Sequence, residues 1–318
     1  MLFRTSNTQV MRMIELLSVG AIVLNGVYQY KRNQYLKPYY PFRYIPAQDK
    51  DKFTFAIGYD KNLKPVVFDF SQSPNLLIGG ITNSGKSVCL HSIIYQSLLN
   101  YPTLELHLFD FKGGIELFYY SKLPNCKTFV YEPEKAYERL SEIFNEIKSV
   151  LVNIRNKGYR NAREYNKGNR NKIPFRLIVM DECMQLDKKS QEILKKIVSI
   201  CRAINCYVIL SSQRFDSKNL DSAIKCNIES RIAFKVADRV NSEIILDRGG
   251  AEFTTIKGRC LCYNNYTYLQ CQCFYIEDKL IKKYVDKNGV EKDESSTNEE
   301  RHESHQIFKS ESKFDLLE

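Results

Sequence analysis

The chain is short of several features that would narrow its class. No internal repeat is detectable in its 318 residues, which excludes an array of short stacked units. It has no long apolar run. The N-terminal uncharged stretch, Leu16 to Tyr30, covers about 15 positions against roughly 17 to 25 for a full membrane span, and Glu15, Asn25 and Gln29 weaken it. Lys31 and Arg32 follow it as an inner flank would. The segment therefore has two readings: a short anchor over residues 13–30, helped by tilting and snorkelling, or an amphipathic helix for a partner. An A-x-A-like cleavage pattern is missing, which argues against a secretory signal.

Acidic side chains are scarce in the body of the chain. Lys and Arg total 47 against 37 Asp and Glu, and from Glu277 onward about 8 basic and 12 acidic residues leave the preceding body near +14. Such a surplus favours a polyanionic partner, with a solubilising surface as the plain alternative. Among the ten cysteines the tighter set is two C-x-C pairs, whereas structural zinc prefers C-x₂₋₄-C knuckles. Cys89, Cys183, Cys206 and Cys226 stand at apolar positions and read as reduced, buried thiols of a cytosolic protein. Cys260-x-Cys262 and Cys271-x-Cys273 flank an Asn264-Asn265 turn, so alternation puts each pair on one face of a hairpin. Packed thiols and a metal site are both open there.

Against these absences stands one complete motif. Residues 80 to 87 read Gly80-Ile81-Thr82-Asn83-Ser84-Gly85-Lys86-Ser87, a G-x-x-x-x-G-K-S phosphate loop between the apolar run Leu76-Leu77-Ile78 and an amphipathic stretch. A strand that ends in a glycine turn and opens a helix aims backbone N–H groups and the helix's positive end at one point. Lys86 is expected to reach the β/γ-phosphates of ATP and Ser87 to ligate Mg²⁺, with residues from Gly80 to Val88 forming the cradle.

The rest of the chain is organised around that loop. Residues 1–30 form the apolar N-terminal segment, and 31–52 an aromatic, basic, proline-broken linker. Residues 53–276 carry the main domain, and 277–318 a polar tail whose composition predicts disorder. Within the main domain, Phe53 to Phe70 reads as a hairpin around Asp60-Lys61-Asn62. Strands then alternate with helices: Leu104 to Phe109, a helix from Pro133 to Asn156, Phe175 to Met180, a helix from Ser190 to Ala203, Cys206 to Ser211, and Ile228 to Val236. The pattern predicts an α/β fold with a mostly parallel central sheet, helices on both faces and the nucleotide at the strands' carboxyl ends.

Two further elements carry chemistry. Arg176-Leu177-Ile178-Val179-Met180-Asp181-Glu182 delivers two acids to a strand end, Asp181 to hold Mg²⁺ through water and Glu182 to orient the attacking water. A kinase acting on a small substrate has less need of that glutamate. Val208-Ile209-Leu210-Ser211-Ser212-Gln213-Arg214 offers Gln213 as a sensor of the γ-phosphate, and Arg202 and Arg231 are two candidates for an arginine finger.

These segments together resemble the motor domain of the FtsK/SpoIIIE/HerA-type DNA translocases, from about Ile57 to about Tyr275. Ile57-Gly58-Tyr59-Asp60 with Lys64-Pro65-Val66-Val67-Phe68-Asp69 is similar to the family's G-x-D turn and P-V-V-x-D strand. Pro74 to Gly80 matches its entry to the phosphate loop. Asp110-Phe111-Lys112 with Glu116-Leu117 resembles D-P-K-x-x-E-L, and Arg160-Asn161 with Tyr165-Asn166 resembles R-N-x-x-x-Y-N. Gln213-Arg214, Asn227-Ile228 with Arg231-Ile232-Ala233-Phe234, and Ile245-Leu246-Asp247 with Gly249-Gly250-Ala251-Glu252 complete the series.

The resemblance implies a RecA-like P-loop ATPase with ATP and Mg²⁺ handled by Lys86, Ser87, Asp181 and Glu182. Gln213 would be the sensor, and Arg202 the finger supplied by a neighbouring subunit. It also implies a homo-hexameric ring around double-stranded DNA, with sequence-independent contacts. The segment from Lys148 to Arg176, with about nine basic residues and one acid, and Lys188 with Lys189 are the candidate DNA surfaces. Three positions depart from the family: Phe111 and Phe215 replace prolines, and Asn83 replaces a glycine. A multi-span membrane domain and a C-terminal winged helix are not recognisable, so the short form is similar to conjugative-element coupling proteins, cytoplasmic or held at the inner face of the membrane, with a relaxase or secretion-channel component as partner. Two other readings are a chromosome or plasmid segregation motor and an ATP-binding docking platform for a relaxase or replication protein.

Overall fold

A computed structural model describes Ser18, residues 37–216 and residues 221–290. The predicted anchor at 13–30, apart from Ser18, and the tail beyond 290 lie outside the described residues. Among those described, no helix is long and apolar enough to cross a membrane.

The strands are β1 (Tyr40–Pro41), β2 (Thr54–Asp60), β3 (Pro65–Asp69), β4 (Asn75–Gly79), β5 (Glu105–Asp110), β6 (Cys126–Val130), β7 (Arg176–Asp181), β8 (Cys206–Ser212), β9 (Ser230–Ala233), β10 (Arg259–Asn264) and β11 (Thr267–Tyr275). The helices are α1 (Lys86–Asn100), α2 (Ala136–Asn156), α3 (Ala162–Gly168), α4 (Lys188–Ile200), α5 (Ser222–Cys226), α6 (Arg239–Leu246) and α7 (Asp278–Asn288). All strands join one sheet in the order β3-β2-β11-β10-β9-β4-β8-β7-β5-β6, with β1 added beside β11.

The run from β9 to β6 is parallel, which puts the carboxyl ends of β4, β5, β7 and β8 along one edge. These strands read as unbroken apolar runs because both faces are covered. Leu177 and Val179 of β7 enter one core with Leu76 and Ile78, while Ile178 and Met180 enter the other with Leu77, Val208 and Leu210. Helices α1 and α7 cover the first face, through Leu90, Ile93, Ile281 and Val285. Helices α2 and α4 cover the second, through Leu140, Ile143, Leu194 and Ile197.

The hairpin β2-β3 forms one margin of the main sheet, because β2 pairs antiparallel with β11. The structure differs from the sequence expectation past residue 276, where the polar composition predicts a disordered tail but ordered chain continues. Helix α7 docks through Ile281 and Val285, 1% and 3% exposed, a stripe too narrow to stand out among its lysines and aspartates. The linker packs as a strap, with Phe42 edge-on to Tyr95 and Phe274 and the Tyr44 hydroxyl donating to Asn100 Oδ1 at 2.9 Å.

Candidate functional site

The phosphate loop runs from the end of β4 to the start of α1. Its shape depends on glycine where the chain crowds itself. Gly85 has φ +114°, and a Cβ there would lie 2.8 Å from the Gly258 Cα, so neither the backbone angle nor the space admits a side chain. Asn83 also has positive φ, 63°, in the left-handed region that asparagine enters more readily than other side chains do. That is the physical reason asparagine can replace the family's glycine here, and its Oδ1 accepts a hydrogen bond from Lys257. Helix α1 begins at Lys86, so its first-turn amides have no intrahelical acceptor and face the loop's concavity. The Ser84 hydroxyl is buried there without a hydrogen-bond partner.

Lys86 Nζ lies 3.1 Å from Asp181 Oδ1 and 2.9 Å from Glu182 Oε1, with the three side chains 7%, 1% and 13% exposed. Strand β8, between β4 and β7, fixes both acids: the Ser211 hydroxyl donates to Asp181 at 2.7 Å, and the Ser212 hydroxyl and Gln213 N–H donate to Glu182 at 3.0 and 3.2 Å. Burial pushes the Glu182 carboxyl up, but the Lys86 ammonium and these donors outweigh it and hold the group below its ordinary value. Glu182 has φ 53°, a conformation that costs a non-glycine residue about 1–3 kcal/mol and turns its carboxylate back toward the loop. Gln213 Oε1 accepts from the Thr82 hydroxyl at 2.9 Å, which seats the sensor candidate against the phosphate loop.

A cleft of about 260 Å³ opens over the loop, lined by Ile81, Thr82, Asn83, Gly85, Lys86, Ser87 and Val88 and also by Lys112, Glu116, Gln213 and Lys257. Sequence reasoning assigned no role to Lys112, Glu116 or Lys257. Buried Asp110, at the end of β5, brings the first two there by accepting from the N–H groups of Lys112, Glu116 and Leu117 at 3.2, 2.8 and 2.9 Å. Glycines Gly113 and Gly114, both at positive φ, complete that turn. The signal was present as an Asp with two glycines before Glu116. The Glu116 carboxyl is held well below its usual range, first by His91 and then by Lys112 at 3.3 Å, against the effect of burial. The Ser87 hydroxyl in the cleft lining and the Asp181 and Glu182 carboxylates held against Lys86 form an oxygen-donor set suited to a hard divalent cation, and the cationic Lys86 and Lys112 suit a polyphosphate.

Other sequence candidates separate. Arg202 is exposed at the amino end of β8, on the edge opposite the phosphate loop, so it does not reach this chain's own cleft. Arg231 is 11% exposed and paired with Asp247 and the Ile245 carbonyl. Lys188 and Lys189 are exposed in the first turn of α4, at the phosphate-loop edge. Within the basic segment, Arg176 is bound to Glu105 and Glu146 at 2.8 and 3.0 Å and Arg163 to Asp49 at 3.2 Å, whereas Lys148, Arg155, Lys157, Arg160, Lys167, Arg170 and Lys172 are exposed. The departures Phe111 and Phe215, 4% and 1% exposed, are core side chains. Phe111 packs on Phe109 and Phe215 lies against Gly79, so each ring fills space beside a strand end.

A parallel α/β sheet with this glycine loop, its lysine and paired acids on the neighbouring carboxyl edge defines a P-loop NTPase. Residues 46–247 match the FtsK/SpoIIIE family, and the chain belongs to it. It is 32% identical to the DNA translocase FtsK of Chlamydia muridarum over 239 residues, covering 68% of this chain and 30% of that protein. It is also 32% identical to the DNA translocase FtsK of Clostridium tetani over 244 residues, covering 73% of this chain and 33% of the other. The chain thus spans about a third of these relatives. Among solved structures, the pCW3 conjugation coupling protein TcpA, in a monomer form with ATPγS, superposes with a TM-score of 0.71 at 26% identity over 79% of this chain and 74% of its own. The cytoplasmic domain of the Thermomonospora curvata type VII secretion ATPase EccC shares the fold, with a TM-score of 0.68 at 21% identity over 80% of this chain and 33% of its own. Membership of the family implies nucleotide binding and an ATPase.

Proposed function

We propose that this protein is a Mg²⁺-dependent ATPase that moves double-stranded DNA through a homo-hexameric ring, in the transfer of a conjugative or other mobile element. The observation that carries the reading is the placement of Lys86 against both Asp181 and Glu182, with Gln213 seated on the loop. Bound Mg²⁺, held by Ser87 and through water by Asp181, would neutralise phosphate charge. Lys86 would contact the β/γ-phosphates, Glu182 would orient and deprotonate the attacking water, and Gln213 would relay the state of the γ-phosphate to β8. Arg202, remote from its own cleft, would complete a neighbour's.

The likeness to the coupling protein TcpA, which covers most of both chains, supports the conjugative role and, with it, a relaxase or secretion-channel component as partner. Residues 13–30 would hold the motor at the inner face of the membrane. The seven exposed cations between Lys148 and Lys172 would supply sequence-independent phosphate contacts, without Arg163 and Arg176, whose charges are already paired.

ATP turnover with and without duplex DNA tests the reading. Duplex of any sequence stimulates hydrolysis, and the stimulation falls steeply between low and moderate salt because phosphate contacts release counterions. Equal turnover at all DNA concentrations would remove the motor reading. Assembly is checked by mixing inactive Arg202→Ala and Lys86→Ala subunits: an intact finger facing an intact phosphate loop restores part of the turnover. No recovery at any ratio excludes Arg202 as the finger in trans.

A further inference from the structure

Five of the ten cysteines converge on one point beneath the phosphate loop. Strand register sets Cys260 directly opposite Cys271, and alternation adds Cys262 and Cys273 on the same face of the β10-β11 hairpin. Helix α1 contributes Cys89, three residues after Lys86. The Sγ atoms of Cys260, Cys271 and Cys273 all lie within 4.8 Å of one another. Cys262 is 3.4 Å and Cys273 3.6 Å from Cys260, and Cys89 is 3.8 Å from Cys273. Cys89, Cys260, Cys262 and Cys271 are fully buried, and Cys273 is 4% exposed. Among the described residues, no other group of three His, Cys, Asp or Glu ligand atoms comes so close together.

We infer that Cys260, Cys271 and Cys273 bind a thiophilic d¹⁰ metal ion, zinc or copper(I), with Cys89 or Cys262 as the further thiolate donor. A tetrahedral ion with metal–sulfur bonds of about 2.3 Å requires sulfurs about 3.8 Å apart, close to the spacings already present. The three sulfurs already lie within 4.8 Å of one another, and the further donor moves toward them as the ion binds. Soft thiolates select these ions over magnesium or calcium, which take oxygen ligands. The cluster sits in the core with Phe55, Ile57, Leu90 and Ile93. Each coordinating thiol gives up its proton to solvent as the ion binds.

The site is mechanically joined to the nucleotide cleft. Gly258 N–H donates to the Ser84 carbonyl at 2.8 Å, and Cys273 N–H donates to the Gly258 carbonyl at 2.8 Å. An ion held by the hairpin and Cys89 therefore ties β10 and β11 to the loop and helix that cradle phosphate. Its loading stabilises the fold whether or not nucleotide is bound, because an ion that binds only the folded chain adds to its stability.

Elemental analysis of the full chain, expressed in zinc-supplemented or copper-supplemented medium and purified under reducing conditions without chelator, tests the inference. The expected result is roughly one ion per chain, zinc in one arm or copper(I) in the other, with a raised melting temperature over the chelated protein. Refolding with cobalt(II) should give thiolate charge-transfer and tetrahedral ligand-field absorption. Cys271→Ser loses both the ion and the cobalt spectrum, while Cys226→Ser, at an exposed thiol, retains them. Should Cys271→Ser fail to fold, the cobalt spectrum of the unaltered chain decides alone. Substoichiometric metal in both arms with no cobalt–thiolate bands would overturn the site, as would a disulfide within the cluster in the reduced preparation.

Discussion

Glu182→Gln stops DNA-stimulated ATP turnover while nucleotide still binds. The amide has nearly the shape of the carboxylate and can still accept from the Ser212 hydroxyl and the Gln213 N–H, which lie 3.0 and 3.2 Å from Glu182 Oε2. Lys86 keeps its second partner, Asp181 Oδ1 at 3.1 Å, so the phosphate loop stays in place. What disappears is the basic oxygen proposed to orient water and take its proton. Loss of a positioned general base lowers kcat by roughly 10²- to 10⁴-fold. Steady-state turnover and equilibrium binding of a fluorescent ATP analogue separate the two effects. A variant within a few-fold of the parent in kcat would show that Glu182 is a structural acid only.

Lys86→Ala is expected to be more damaging, because it acts on both the ligand and the fold. The Asp181 side chain is 1% exposed and that of Glu182 13%, so removing the ammonium leaves two neighbouring carboxylates in a dry site without a counter-charge. Breaking a buried ion pair from one side costs on the order of 3–5 kcal/mol, and nucleotide binding is lost with the cation. The stability loss has a defined pH dependence. The folded-state pKa of Glu182 is held below the ordinary value, so its contribution is present above the unfolded pKa and is lost as pH falls through the depressed folded one. The parent therefore exceeds Lys86→Ala in stability at neutral pH, and the gap narrows below about pH 4.5 as Glu182 protonates. Denaturant melts of both proteins at pH 7 and at acidic pH measure it. A gap that stays constant would place the effect outside the carboxylates.

The core of the site is legible in the sequence because its determinants are local. Glycine spacing, the Lys86-Ser87 pair and the apolar runs ending at Gly79, Asp181 and Ser212 each declare a strand end or a loop within a few residues. Sheet order is not local. That β10 and β11 join the phosphate-loop half of the sheet to the N-terminal hairpin depends on pairings such as Cys271 with Asp60, across most of the chain. Nothing near either residue encodes it. Lys257 was missed for the same reason, since it reaches the cleft through the contact of Gly258 with Gly85, whereas Lys112 and Glu116 carry a local signal in the turn that buried Asp110 closes. The surroundings of the two finger candidates, Arg202 and Arg231, are likewise set in three dimensions. Arg231 stands at the start of β9, where Asp247 and the Ile245 carbonyl already occupy its guanidinium, and Arg202 is left exposed.

The central claim is movement along duplex DNA, which hydrolysis alone does not demonstrate. Displacement of a third strand bound as a triplex downstream on linear duplex reports that movement directly. The account predicts ATP-dependent release of the third strand, unaffected by the duplex sequence and absent with Lys86→Ala or Glu182→Gln. DNA-stimulated hydrolysis with the triplex left intact would contradict it.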